Sequence, residues 1–541
     1  MECRSLPFRQ LPHQPKLFLA FLDNFPSVKK FYPHPPTIAE AKKATKSLEY
    51  PLERRAEVTQ VLREQNAAFG AGEATRRNLD RLAKGAVAVV SGQQVGLFSG
   101  PAYAIYKAVS AIQIAQELTA AGTDAVPVFW MASEDHDLDE VRWSAWLENG
   151  KLKRFELPGN GDAGEPVGRI LLGPDAREMV DDAARILTSA GGEFLAAIFR
   201  ESYGPEETYG SAFGKLFARL FAEQGLILLD PLDARLHRVG REILRRAVVE
   251  RDELNDALLA RGKELEKEGF AAQVKVTARS TLLFKMCGGK RAPITAANGK
   301  FSSVAAAGQS SWTGEELAAK VAAEPECFSP NALLRPVLQD YLLPTAVYIA
   351  GPAEIAYYAQ AEVVYRRLLG RMPVILPRAA YTILDAKAEK LLKRYGLTVE
   401  DVWRGSQELR RKMETASVPQ ALGKSFDRTL KENARALAKL QKQIVRLDPT
   451  LAGAVETARK KIAFQMEKLK RKAGKAEALK DGLMAGHQKY LESLLYPHKS
   501  LQSRELCFLP FLASWGPGGL KELQKLAASK KIGEHKLLRI P

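Results

Sequence analysis

The chain is poor in cysteine. Its 541 residues hold four, Cys3, Cys287, Cys327 and Cys507, far apart, with no CxxC pair and no histidine pair beside them. This spacing argues against a disulfide framework and against a zinc ribbon, and it suits a reducing compartment. Long apolar runs are missing as well: no stretch reaches the ~18 uninterrupted apolar residues that span a bilayer. The opening MECRSLPFRQLPHQPK has neither the apolar core nor the small-residue cleavage site of a signal peptide. A soluble, cytoplasmic protein is the expectation. Internal repeats and low-complexity tracts are absent too. Wholesale disorder is excluded by 46% hydrophobic and 26% charged residues, and at ~150 residues per domain the length suggests three to four domains.

What the chain has in excess is positive charge. Lys+Arg 80 against Asp+Glu 63 gives +17. Residues 421–500 carry 18 Lys/Arg and 8 Asp/Glu, so more than half of the surplus falls on this stretch. Basic residues on long helices are usually a solvated face, although they also suit nucleic acid or anionic ligands.

The Pro-rich FYPHPPT (residues 31–37) reads as a connector before a helical stretch near residues 38–84. AVAVV (86–90) is a short apolar run fit for a strand buried on both faces. A Gly-rich loop follows, then a helix from about Pro101 to Ala120 and a second buried strand, VPVFWMA (126–132). This βαβ order implies a parallel sheet. Further strands are read in GLILLD (225–230, after a helix around 211–224), TAVYIAG (345–351) and MPVILPR (372–378). Together they predict a doubly wound α/β sheet. Residues 142–208, with PGNGDAGEP and the strand-like KRFEL and GRILL, read as one insertion. Residues 271–312, with QVKVTA, TLLFK and a Gly-rich turn, read as a second and β-rich one.

Beyond Tyr381 the pattern turns helical. Leu430, Leu437, Leu440, Ile444, Leu447 and Leu451 form a heptad seam, and Val455, Ala458, Ile462, Met466 and Leu469 a second. Asp448-Pro449 should break the helix between them, giving an antiparallel coiled-coil hairpin. The expected organisation is therefore a core over 1–382, a helical domain over 383–500, and a C-terminal segment 501–541 that packs back on the core.

Ligands of open α/β sheets bind beyond the C-terminal ends of the strands, and three polar clusters fall there. The first, Ser91-Gly92-Gln93-Gln94-Val95-Gly96-Leu97-Phe98-Ser99-Gly100-Pro101, repeats glycine every four residues before a helix. It is neither GxxxxGK[ST] nor GxGxxG, so it is either an anion-friendly loop or a structural turn. Lys107, two turns into the helix, is placed to reach back toward an anion or out to solvent. The second cluster is Glu134-Asp135-His136-Asp137-Leu138-Asp139-Glu140. Its carboxylates could ligate Mg²⁺ or hold the His136 imidazole in one tautomer for acid–base work. No second histidine stands nearby for a transition metal, and Asp139 and Glu140 read as favouring a helix dipole. The third is Gly351-Pro352-Ala353-Glu354-Ile355-Ala356-Tyr357-Tyr358, with Arg378 at the end of the last strand facing a carboxylate or phosphate. No Gly-x-Ser-x-Gly elbow occurs. Cys287 in KMCGGK has basic neighbours that would lower its pKa, though such a turn thiol is usually inert.

SGQQVGLFSGPAYAIYK, VPVFWMASEDHDLDEV, LLPTAVYIAGPAEIAYY and MPVILPRAAYTIL closely resemble the signature segments of the cysteine-adding enzymes of bacillithiol biosynthesis, the BshC family. The resemblance runs from SLPFRQLP to the C-terminal LASWGPGGL. It implies a Rossmann-like core similar to class I aminoacyl-tRNA synthetases and nucleotidyl transferases, two connecting insertions, and a coiled-coil domain associated with homodimers. It implies a ligase that joins cysteine through its carboxyl group to the amine of glucosaminyl-malate. That bond forms uphill, so ATP, with Mg²⁺ as companion ion and through an acyl-adenylate or acyl-phosphate, is the expected activator. The roles that follow place phosphate or the malate carboxylates on Gln93, Gln94, Gly96 and Gly100 with Lys107, and the cysteine ammonium on Asp135 or Glu134. His136 takes the proton of the attacking amine, with Asp137 beside it. Gly351, Glu354, Tyr357 and Arg378 line the opposite wall. No bound metal, membrane or nucleic acid is expected. Two other classes stay open, an RNA-directed synthetase-like enzyme and a non-catalytic coiled-coil scaffold. The first is disfavoured because Phe464 is the only aromatic residue between 427 and 489, the second because a scaffold needs no polar clusters at three strand ends.

Overall fold

The computed structural model describes residues 3–159, 161, 164–287, 289–305, 308–528 and 532–540. The chain forms two compact units: Met1–Glu148, Leu152–Thr382 and Ser503–Pro541 make the first, Asn149–Lys151 and Ile383–Gln502 the second.

The first unit is built on a wholly parallel sheet of β1 (Val87–Gln93), β2 (Ala125–Met131), β3 (Ile227–Leu229), β4 (Thr345–Ala350) and β5 (Val374–Pro377). Their order is β5-β4-β1-β2-β3. The chain runs outward from β1 to β3 and then returns to the other side of β1. The β1–β4 boundary is therefore the topological switch point, where a crevice opens beyond the strand ends. All five strands expected from the apolar runs are present in this one sheet. β2 and β4 are buried at every residue, as their unbroken apolar sequences require. Helix α1 (Tyr103–Ala120) covers one face, packing Ala111, Ile114 and Leu118 on Val87, Val89, Val347 and Ile349.

β1 runs further than its apolar run. Ser91, Gly92 and Gln93 continue the ladder opposite Phe129, Trp130 and Met131. The Ser91 hydroxyl is satisfied inside the sheet by Ile349 O at 2.9 Å. Gly92 is required there, because a Cβ would fall 2.6 Å from Trp130 O.

Both insertions carry a correction. In the first, KRFEL lies in the strand Lys151–Glu156, but GRILL is no strand: Val167–Arg169 is a 3₁₀ turn, and Leu171 makes one isolated bridge to Thr208. The backbone of this segment is spent on the loop leaving β2, with Val167 N–H donating to Asp135 O and Gly168 N–H to Ser133 O. The turn PGNGDAGEP lies partly outside the described residues. The second insertion is an antiparallel sheet in the order Gly308–Thr313, Lys300–Ala305, Lys290–Ala297, Ser280–Cys287, Phe328–Pro330. QVKVTA stays outside it, because the Gln360 side-chain amide pairs with both backbone groups of Val274 at 2.8 and 2.9 Å. The Cys287 side chain lies outside the described residues. Helices α2 (Ala234–Val249), α3 (Arg335–Leu342) and α4 (Pro352–Leu368) complete the parts that shape the crevice.

In the second unit, α5 (Gln420–Leu447) and α6 (Ala452–Asp481) form the expected hairpin. Asp448 leaves helical geometry, and its carboxylate accepts bonds from Thr450 N and Oγ1 at 2.8 Å. Among the described residues no helix is long and apolar enough to cross a membrane.

Candidate active site

A cleft of about 610 Å³ opens at the switch point, lined entirely by the first unit. Its floor is an ion pair. Lys107 Nζ, from α1, lies 2.6 Å from Glu354 Oε2, with 4% and 14% of the two side chains exposed. The ammonium also donates to Gly92 O and to Gln93 Oε1, each at 2.7 Å. Glu354 accepts from Tyr348 OH at 2.6 Å and from Gly351 N–H at 2.7 Å, which caps α4. Burial alone would push the Glu354 carboxyl up, but Lys107 and these donors hold it below its ordinary value. Burial lowers Lys107 in spite of its partner. The pair ties the exits of β1 and β4 together.

At the β2 end stand Glu134, Asp135 and His136. Asp135 Oδ2 accepts from Gln94 Nε2 at 2.5 Å, and Oδ1 from His136 N at 2.8 Å and Arg291 Nη1 at 3.2 Å. Burial opposes its charge, but the bonds from His136 and Gln94 and the Arg291 cation outweigh that, holding its carboxyl well below the usual carboxylate range. His136 Nδ1 lies 3.4 Å from both Asp135 Oδ1 and Arg291 Nη1. With the ring proton on Nδ1 directed at Asp135, Nε2 is the acceptor; with it on Nε2, Nδ1 accepts from Arg291 Nη1. Arg291 is itself fixed by Ser329 Oγ at 2.9 Å, Pro330 O at 2.6 Å and the Phe284 ring at 3.9 Å. Glu134 Oε1 is held at 2.9 Å by Nε2 of His237, a buried residue of α2. Burial works against protonating His237, but the Glu134 carboxylate prevails and raises its pKa.

The β5 end is cationic. Arg378 lies over the Tyr103 ring at 5.6 Å, and Arg504 lines the same wall. Arg335, from α3, donates to Gln339 Oε1 at 2.9 Å and to Tyr357 OH at 3.1 Å.

Of the residues singled out from sequence, Gln93, Gln94, Lys107, Glu134, Asp135, His136, Gly351, Glu354, Tyr357 and Arg378 all line this cleft. Gly96, Gly100 and Asp137 do not. Gly96 and Gly100 pack on each other, a Cβ on Gly96 falling 2.8 Å from Gly100 Cα. The segment between them carries Phe98 into a cluster with Trp146, Phe155, Phe199 and Tyr203. Asp137 caps the short helix Leu138–Val141 through Glu140 N at 3.2 Å. Glu140, read as a dipole residue, lines the cleft, and burial with Asp135 and Asp137 nearby raises its pKa. Arg291, Arg335 and Arg504 had no signal in the sequence, since each arrives from a distant segment without a motif. Among the described residues no group of three or more His, Cys, Asp or Glu side chains is placed to hold a metal ion.

A parallel sheet in this order, with its polar cleft at the switch point, is the architecture of a Rossmann-type enzyme. The family model described as "Bacillithiol biosynthesis BshC, N-terminal Rossmann-like domain" matches residues 1–379, and "Bacillithiol biosynthesis BshC, C-terminal coiled-coil domain" matches 381–540. Proteins named "Putative cysteine ligase BshC" are similar over nearly the whole length. That of Koribacter versatilis is 42% identical over 99% of both chains, and that of Solibacter usitatus 38% over 95% of this chain and 96% of its own. That of Salinibacter ruber is 32% identical over 94% of each. The chain belongs to the BshC family of bacillithiol biosynthesis and is an enzyme of the ligase class.

Proposed function

We propose that the cleft joins L-cysteine, through its carboxyl group, to the amine of glucosaminyl-malate, the amide-forming step that completes bacillithiol. The observation that carries this reading is an ionised Asp135 beside the His136 ring, at the cleft of a chain similar to BshC ligases end to end. Glu134 has one oxygen held by His237 and the other unbonded among the described residues, which suits it to the cysteine ammonium. Both Asp135 oxygens are already engaged, so Asp135 serves better to orient His136 than to bind that ammonium. His136 Nε2 receives the proton that the amine loses as its nitrogen bonds to the carboxyl carbon and a carboxyl oxygen departs. Gln93 and Gln94 offer side-chain amides beside that point, and Tyr357 and Gly351 bound the far wall. ATP, with Mg²⁺ on its phosphates, is the proposed activator, making the departing oxygen a leaving group.

A second copy of the chain is the proposed partner of the helical hairpin, where Leu447 is 84% and Leu469 53% exposed along the seams. The cytoplasm, where cysteine stays reduced, is the proposed location. Replacing His136 by Ala should abolish ligation and leave the circular dichroism spectrum unchanged, since its side chain is 40% exposed. A normal turnover number would refute its role as base.

A further inference from the structure

The two ends of the cleft differ in charge, and among the described residues the arginines of one end make no direct ion pair. Arg378 is nine-tenths buried, yet among the described residues its only side-chain hydrogen bond is from Nη1 to Ala379 O, at 3.0 Å. Its Nε is left beside Gly351, where a Cβ would come within 3.7 Å. Arg504 is exposed on the same wall and, among the described residues, makes no hydrogen bond or ion pair, Glu140 attracting it only at longer range. The other cations of the cleft have their donors engaged: Lys107 by Glu354, Arg291 by Asp135, and Arg335 by Gln339 and Tyr357. Glu354 attracts Arg378 without an ion-pair contact, its two oxygens being engaged by Lys107, Tyr348 and Gly351. Burial and the neighbouring Arg504 charge together push the Arg378 guanidinium down to about 10.

Two guanidiniums that repel each other, with most of their N–H donors unused, make a poor structural feature and a good receptor. Guanidinium forks match carboxylate and phosphate oxygens geometrically, and a doubly charged anion converts the repulsion into attraction. The place is also suitable. β5 and β2 are three strand spacings apart, ~14 Å, so an anion here stands away from Asp135 and Glu134.

We propose that Arg378 and Arg504 form a subsite for a doubly charged oxyanion group of a substrate. This rests on the ligase reading, under which two sources carry such a group: the paired carboxylates of the malyl acceptor and the phosphate chain of the nucleotide. The anion role thus falls to these arginines, since Gly96 and Gly100 lie outside the cleft and Lys107 is committed to Glu354.

The test is Arg504→Gln in the full chain, a substitution at an exposed side chain that breaks no hydrogen bond or ion pair among the described residues. L-malate and ADP are titrated separately into wild type and variant by calorimetry, and KM values for cysteine, glucosaminyl-malate and ATP are measured in parallel. Loss of one charge-assisted contact should weaken one of the two anions about tenfold, with Arg504→Lys intermediate and the cysteine KM unmoved. Weakened malate, with a raised acceptor KM, assigns the subsite to the carboxylates; weakened ADP, with a raised ATP KM, assigns it to the phosphates. Equal binding of both by wild type and variant overturns the proposal, as does wild type binding neither. If wild type forms no amide, the ligase reading falls while the two titrations still decide the subsite.

Discussion

Removing Lys107 should cost more than the loss of one surface charge, because it strands Glu354. The Lys107→Met side chain fills the same channel but leaves a carboxylate 14% exposed, keeping only the Tyr348 and Gly351 donors. Breaking a buried pair from one side costs about 3–5 kcal/mol, and replacing both partners costs far less than twice that. The two surviving donors favour the lower end, about 3 kcal/mol for Lys107→Met. Glu354→Gln strands the ammonium with Gly92 O and Gln93 Oε1, a similar penalty of about 3 kcal/mol. The double variant should fall short of the sum by about 2–3 kcal/mol, the size expected of groups in direct contact. Urea unfolding of the four proteins, followed by tryptophan fluorescence, reads the cycle. The carboxylate's contribution also has a sign in pH. Glu354 is held below its ordinary value, so its stabilisation is present above about pH 4.5 and lost as pH falls through the folded value. The acid limb should therefore flatten in Lys107→Met. Single effects that add to within about 0.5 kcal/mol would refute the coupling.

Gly96→Ala should destabilise by about 1–3 kcal/mol, since its Cβ would lie 2.8 Å from Gly100 Cα and the loop backbone must move; an unchanged melting temperature would show that the loop is not close-packed. His237→Asn should alter the pH dependence of stability. Glu134 raises the His237 pKa, so this contribution is fully present below about pH 6.5 and lost as pH rises through the folded value. Wild type should lose stability across that limb and the variant should not; parallel curves would remove the charge from the His237–Glu134 contact.

The parallel sheet was legible because each strand is an apolar run between turn residues, and a strand covered on both faces has no alternation to blur it. The exit of β1 was not. Ser91-Gly92-Gln93 looks like a loop, yet it stays in the ladder because Ser91 finds an internal acceptor and Gly92 lets Trp130 O approach. GRILL and QVKVTA fail for the opposite reason: strand-like letters whose backbone groups are claimed by Ser133, Glu207 and Tyr209 in one case and by Gln360 in the other. The cleft was legible wherever a polar residue directly follows a strand, as with Asp135, Glu354 and Arg378. Arg291, Arg335 and Arg504 converge on it through tertiary folding alone, from an insertion, a helix and the C-terminal segment. Of the two readings open for Lys107, solvent is excluded by its burial, and it meets Glu354, a pairing that neither local sequence announces.

The most direct test of the ligase reading is to incubate the purified protein with glucosaminyl-malate, cysteine, ATP and Mg²⁺ and to analyse thiols and nucleotides by mass spectrometry. The expected result is a new thiol with the summed mass of acceptor and cysteine less one water, formed in step with AMP or ADP. Intact acceptor and cysteine, with no such thiol, would contradict the assignment of this cleft to amide ligation.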